Sequence, residues 1–209
     1  MVESGSWFTA TKGDTGGVEG AMIGVSDMEK ALEFYRTILG YDTVIYDVKD
    51  FNEDLQGLPG GEEPVRRVLL SHSEDRSGAF SRMFGASRLE LVQSLGRKPV
   101  KIFADRYWGD LGFIHLCFDI NGMDQLKERC DQAGHPFTVD SGTSFDMGEA
   151  GGRFSYIEDP DGTLIEFVET HKLPVMKSIK WYIDLTKRKP EKPLPDWMLR
   201  TLRFSRVKD

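Results

Sequence analysis

The sequence GDLGFIHLCFDI, residues 109–120, decides how the whole chain is interpreted. β-branched and aromatic residues follow a bounding glycine, which predicts a strand over 111–120. Because side chains alternate between the two faces of a strand, His115 shares a face with Phe113 and Cys117. The more apolar face carries Ile114, Leu116, Phe118 and Ile120. His115 therefore lies on the less apolar face, and we expect it to line a cavity.

A second stretch, DPDGTLIEFVE at residues 159–169, places an acidic residue in a comparable position. Its Asp-Pro-Asp-Gly start is typical of a turn, and the residues from Leu164 onward predict a strand. Two inward-facing groups, His115 and Glu166, are then expected to face the same cavity. The rest of the chain is interpreted as a frame built around that cavity.

The same βαβββ order is predicted twice along the chain. The first unit comprises a strand at 19–25, a helix at 27–39, and strands at 43–48, 65–71 and 87–93. The second comprises the strand at 111–120, a helix at 123–133, and strands at 137–139, 153–158 and 164–169. Superimposing the two units aligns Gly20 with His115 and Glu90 with Glu166.

This repeat divides the chain into five segments. They are an N-terminal arm at 1–17, a first module at 18–94, a linker at 95–109, a second module at 110–170 and a basic tail at 171–209. The tail is predicted to be helical, with Ile179, Tyr182 and Ile183 at helical spacing. Its large aromatic side chains are expected to dock on the body or on a partner subunit, and the second arrangement would make the protein a homodimer.

Charge and composition exclude several classes of protein. The net charge is −7, and the tail holds 11 Lys and Arg against 4 Asp and Glu, so the body is strongly acidic. An acidic body argues against nucleic acid as the main partner. No apolar run approaches the roughly 20 residues that span a bilayer. The two cysteines, Cys117 and Cys130, are expected to be free thiols, which fits the cytoplasm.

Each predicted unit resembles a module of the vicinal oxygen chelate superfamily, which includes glyoxalase I, methylmalonyl-CoA epimerase, extradiol dioxygenases and bleomycin-resistance proteins. The residues that carry the likeness are 25–35 with Leu39-Gly40, and 159–169; the likeness covers about residues 18–170. It implies an α+β fold in which two βαβββ modules pair into an incomplete eight-stranded barrel around a metal ion.

The resemblance also implies metal ligands on the first and last strands of each module. Those positions are Gly20, Glu90, His115 and Glu166. Glu90, His115 and Glu166 suit a divalent ion such as Zn, Ni, Co, Mn or Fe. The family usually has His or Gln where this chain has Gly20, so water or His72 would have to complete the site. The missing ligand also counts against ring-cleaving iron chemistry.

Three functions are compatible with these features. The first is a metal-dependent lyase or isomerase that acts on a small carbonyl or acyl substrate through a metal-stabilised enediolate, with Glu90 or Glu166 moving a proton. Its pocket would be lined by Met22, Phe113 and Tyr156. The second is a metal-free ligand-binding protein of the bleomycin-resistance type, which Gly20 favours. The third is the dioxygenase-like half of a longer chain.

Overall fold

The computed structural model describes residues 18–50, 55–72, 76–84, 86–142, 145–146, 151–176, 181–189 and 192–201. The arm predicted at 1–17 lies outside these ranges. None of the helices within them is long and apolar enough to cross a membrane.

The first module forms a four-stranded sheet with a helix on one face. Its elements are β1 (Gly20–Val25), α1 (Met28–Thr37), β2 (Thr43–Asp50), β3 (Val65–Ser71), a short α2 (Ser81–Phe84) and β4 (Arg88–Ser94). The strand order is β1-β4-β3-β2. The first and last strands, β1 and β4, therefore lie side by side and run parallel.

The second module repeats this topology. Its elements are β5 (Leu116–Ile120), α3 (Met123–Gln132), β6 (Val139–Asp140), β7 (Phe145–Asp146), β8 (Gly151–Glu158) and β9 (Leu164–Met176). Strand β5 pairs in parallel with β9, and β8 lies between β9 and β6. The predicted α+β fold of two βαβββ modules is confirmed. Within the described residues the two sheets stay separate, so the barrel is open.

Strand β5 begins later than predicted, at Leu116 rather than at residue 111. Its partner β9 begins at Leu164, and the ladder starts with the pair Leu116 and Ile165. Residues ahead of Leu116 therefore have almost no facing strand with which to pair. His115 and Phe113 lie in the segment that leads into the strand.

The tail combines strands with one short helix. Strand β9 continues to Met176, and β10 (Trp181–Asp184) pairs with its second half in antiparallel fashion. The helical prediction is therefore wrong at Tyr182 and Ile183, because the extended β9 offers a free edge that local periodicity does not reveal; Ile179 lies outside the described residues. Within the described residues of the tail, the helix is α4 (Asp196–Thr201).

Helix α3 lacks a capping side chain of its own, because Gly122 occupies the N-cap position. Glu169 on β9 supplies the cap: its Oε1 accepts from the backbone N–H of Gly122 at 2.5 Å and of Met123 at 3.2 Å. A carboxylate is favoured at a helix N-terminus, where backbone N–H groups lack partners. This contact holds the connection between β5 and α3 against strand β9.

One apolar core joins the two modules. It includes Val25, Met28 and Phe34 of the first module and Met123, Ile157 and Phe167 of the second. At its edge the buried hydroxyl of Tyr35 donates to Asp159 Oδ2 at 2.8 Å. Asp159 Oδ1 accepts from the N–H groups of Asp161 and Thr163, so this buried carboxylate organises the turn predicted at 159–162.

A second, smaller core holds the tail and the first module's insert together. It contains Ala79, Leu173, Leu185 and Leu194. Beside it, Asp119 Oδ2 on β5 accepts from the N–H of Phe80 at 2.6 Å. The tail therefore docks on the body of its own chain.

We predict that Tyr35→Phe lowers the free energy of unfolding by about 2 kcal/mol, because the buried Asp159 carboxylate loses a donor. Urea denaturation measures the change. Tyr107→Phe is the control, because Tyr107 is exposed in the linker. A loss in Tyr35→Phe no larger than that of the control would contradict the role given to this bond.

Asp119 makes stability depend on pH. Burial raises the pKa of this carboxyl to about 6, against hydrogen bonds and arginines that lower it. A pKa higher in the folded than in the unfolded state stabilises the fold at low pH, and the stabilisation is lost as pH rises from about 4 to about 6. We predict that Asp119→Asn flattens the pH dependence of unfolding in this window. An unchanged profile would show that Asp119 does not titrate there.

Candidate functional site

The residues predicted to form the site fall into two clusters, one on each sheet. His115, Tyr156 and Glu166 lie together on the second sheet. Glu90 and Met22 lie on the first sheet, where they are register partners on β4 and β1. Phe113 is 55% exposed, and its ring lies 6.5 Å from that of Phe103 in the linker.

Glu166 is the centre of the cluster on the second sheet. Its Oε2 lies 3.1 Å from His115 Nε2, and its Oε1 accepts from the hydroxyl of Tyr156 at 2.9 Å. Register explains the meeting: Glu166 on β9 is paired with Tyr156 on β8 and with Cys117 on β5. Because Cys117 follows His115 by two residues of extended chain, both side chains lie beside this carboxylate.

Proton donors surround the Glu166 carboxylate. The thiol of Cys117 lies beside it, and burial together with the neighbouring Glu166 carboxylate raises the pKa of Cys117 to about 12. Burial, together with the same carboxylate, raises the pKa of Tyr156 to about 12. Both groups are therefore neutral near pH 7 and act as hydrogen-bond donors.

Two members of this cluster were not assigned to the site from the sequence. Cys117 was assigned only to the same strand face as His115. Trp108 lies in the predicted linker, yet its indole is near enough to the hydroxyl of Tyr156 to lower the pKa of that phenol, while the Trp108 side chain stays 71% exposed. Strand alternation could have singled out Cys117, but nothing in the local sequence points to Trp108.

In the cluster on the first sheet, the negative charge of Glu90 is already balanced by a positively charged side chain. Glu90 Oε1 forms an ion pair with Arg67 on β3 and accepts from the hydroxyl of Tyr46 on β2 at 2.7 Å. Both side chains of the pair are mostly buried, at 14% and 12% exposed. The guanidinium thus supplies the positive charge that a buried carboxylate needs.

Position 20 has no space for a ligand side chain. A Cβ built on Gly20 would overlap the carbonyl oxygen of Arg88 on the paired strand β4. At Gly24, on the same face of β1, a Cβ would meet nothing within 4 Å. The glycine is therefore required by the close approach of β1 and β4.

These observations test whether a divalent ion fits the predicted ligands. Across the described ranges, no group of three or more His, Cys, Asp and Glu side chains is arranged to hold a metal ion. Glu90 is balanced by Arg67, and position 20 cannot supply a ligand. As arranged, the side chains do not fit an ion held jointly by Glu90, His115 and Glu166, and that ligand set stays a prediction.

Comparison with known proteins identifies the family. A sequence model of the Glyoxalase/Bleomycin resistance protein/Dioxygenase superfamily matches residues 17–167, and the chain belongs to this superfamily. The predicted resemblance is confirmed. No curated protein matches the chain.

Solved structures agree on the fold. A glyoxalase family protein from Bacillus cereus superimposes with a TM-score of 0.60 at 18% identity, covering 78% of this chain and 99% of that one. One from Enterococcus faecalis gives 0.50 at 18% identity, covering 73% and 96%. The trypanothione-dependent glyoxalase I of Leishmania major gives 0.46 at 19% identity, covering 74% and 87%.

We predict that Gly20→Ala lowers the free energy of unfolding by about 1–3 kcal/mol, because β1 must move away from β4. Gly20→His, which introduces the family's usual residue, should lower it at least as much. Thermal unfolding measures both. Gly24→Ala is the matched control, with an expected change within about 0.5 kcal/mol. Equal stability of the position 20 and position 24 variants would refute the close approach.

Proposed function

We propose that the chain binds a small organic molecule at the cluster of His115, Tyr156 and Glu166, without a resident metal ion. The observation that carries this proposal is that protein donors already satisfy Glu166. An imidazole, a phenol and a thiol surround its carboxylate, so its charge needs no cation. This is the metal-free alternative predicted from the sequence.

The cluster offers a ligand both polar and aromatic contacts. The rings of His115 and Tyr156 meet edge to face at 5.6 Å, and Trp108 joins Tyr156 from the linker. Ligand sites combine apolar walls with a few placed polar groups. A neutral ligand with a hydroxyl or N–H donor fits here, because the Glu166 carboxylate can accept a further hydrogen bond from it.

A second candidate function is the metal-dependent lyase or isomerase, acting on a small carbonyl or acyl substrate. The 3.1 Å between His115 Nε2 and Glu166 Oε2 favours it, because two ligands of one ion also approach this closely. In this chain Glu90 would first have to leave Arg67.

Location in the cytoplasm and assembly as a homodimer also stay predictions.

Metal content separates the two candidates. Protein incubated with Zn²⁺, Mn²⁺, Ni²⁺, Co²⁺ or Fe²⁺ and then desalted is expected to retain far less than one ion per chain. Stoichiometric metal that disappears in both His115→Ala and Glu166→Ala would overturn the metal-free proposal in favour of the enzyme. His135→Ala is the matched control, since that ring packs on Phe34 away from the cluster.

Ligand binding is tested by thermal shift in the presence of EDTA. A panel of neutral aromatic alcohols, 2-oxo acids and acyl thioesters is screened against the wild-type chain. A ligand at about 100 times its Kd stabilises the fold by about 2.7 kcal/mol. We expect stabilisation by neutral donors that is lost in Glu166→Gln and kept in His135→Ala. Hits that stabilise Glu166→Gln equally would place the ligand elsewhere.

A further inference from the structure

A second feature that could bind a ligand is a cavity of about 1340 Å³ between the two modules. The first module contributes the start of β1, the turn after α1 and the insert at 76–84. The second module contributes strand β5, residues 121 and 122 that follow it, and one side of α3. Pockets that hold small ligands typically measure about 300–1,000 Å³, so this cavity has room for one.

Polar groups converge on one wall of the cavity. Arg76 Nη1 donates to Ser87 Oγ at 3.0 Å, and Ser87 Oγ lies 2.7 Å from the hydroxyl of Tyr41. The ring of Tyr41 packs against that of His72, with centroids 4.2 Å apart and ring planes inclined by 54°. All four residues line the cavity. They form a compact group of hydrogen-bonding side chains that we name the Arg76 cluster.

The Arg76 cluster is electropositive. Arg76 donates to Ser87, which is a neutral hydroxyl and leaves the charge of Arg76 in place. A guanidinium has five N–H donors, so Arg76 can donate to further acceptors. The charge of Arg76 opposes burial in setting the pKa of Tyr41. Burial and the same charge both lower the pKa of His72, so His72 is neutral near pH 7. An anion entering the cavity would therefore meet one full positive charge and several neutral donors.

Among the described residues, the acidic side chains of the cavity wall are Asp42 and Asp119. Asp119 accepts from the N–H of Phe80 at 2.6 Å, and the positive charges of Arg76 and Arg188 both lower its pKa. Asp42 accepts from the hydroxyl of Thr43 at 3.2 Å, and its charge raises the pKa of His72 against the effect of Arg76. Their hydrogen bonds and the nearby arginines offset part of their repulsion of an anion.

The other arginines of the wall already have partners. Arg88 pairs with Glu19 at 2.9 Å, and Arg129 donates to the carbonyl of Ile38 at 3.2 Å. Arg76 is therefore the arginine of this wall best placed to receive an anionic group. The apolar side chains that complete the cavity are Met83, Phe84, Leu89, Leu116 and Phe118.

We propose that this cavity binds a small amphipathic molecule whose carboxylate or phosphate group is held by Arg76, Ser87 and Tyr41. Its apolar part lies on the side chains of Phe84, Leu116 and Phe118. His115, Tyr156 and Glu166 do not line this cavity, although Cys117 does. The proposal stands whether or not the function proposed for the Glu166 cluster holds.

Isothermal titration with octanoate, octyl phosphate and octanol tests the proposal. Octanoate or octyl phosphate, or both, should bind the wild-type chain, and the stronger of the two identifies the anionic group. Octanol should bind at least about tenfold more weakly, because it lacks the charge that a guanidinium binds. Absence of binding by both anions, or equal binding by octanol, overturns the proposal.

Arg76→Met should weaken the anion by about tenfold or more, and Arg82→Met should leave it within about twofold. Arg82 is the matched control because it lies on the same insert and pairs with Asp196 on the surface. Glu166→Gln should also leave anion binding unchanged, which separates this site from the proposed function. Equal binding by Arg76→Met refutes the assignment. If Arg76→Met does not fold, the salt dependence of binding to the wild-type chain tests the proposal instead. Added salt should weaken the binding of the anion and leave the binding of octanol unchanged. Anion binding that does not change with salt would refute the proposal.

Discussion

The hydrogen bond from Tyr35 to Asp159 holds the two modules in their arrangement. It joins the last turn of α1 in the first module to the turn before β9 in the second. The same turn makes another contact across the modules, because Asp161 accepts from the N–H of Ser26 at 2.7 Å. Ser26 directly precedes Asp27, which caps α1. The two stretches that carry the family resemblance are thus in contact, and each fixes the other.

Much of this fold could be predicted from the sequence because its signals are local. The capping carboxylate of Asp27, the apolar spacing of α1 and the turn chemistry of 159–162 all act over a few residues. The start of β5 and the strands of the tail depend instead on which neighbouring strand is available for pairing. Glu169 illustrates the same limit, since its role as the cap of α3 depends on a contact across the module.

The same distinction between local and long-range signals applies to the residues of the candidate site. His115, Tyr156 and Glu166 could be found because strand alternation and the repeat place them on equivalent faces. The ion pair of Glu90 with Arg67 could not, because it joins neighbouring strands whose register is set by the whole sheet. Trp108 reaches the cluster from a linker without regular structure. Sequence periodicity therefore predicts on which face of a strand a side chain lies. Which group pairs with each charged side chain is known only from the folded structure.

The two glutamates show how one duplicated fold can hold two different chemical environments. Glu90 and Glu166 occupy equivalent last strands, and each accepts from a tyrosine hydroxyl. The further partner is a permanent cation, Arg67, in one case, and an imidazole and a thiol in the other. A guanidinium cannot give up its proton near pH 7, so the first pair is fixed in charge. The partners of Glu166 are neutral groups that a ligand could replace, which is why the ligand site is proposed in the second module.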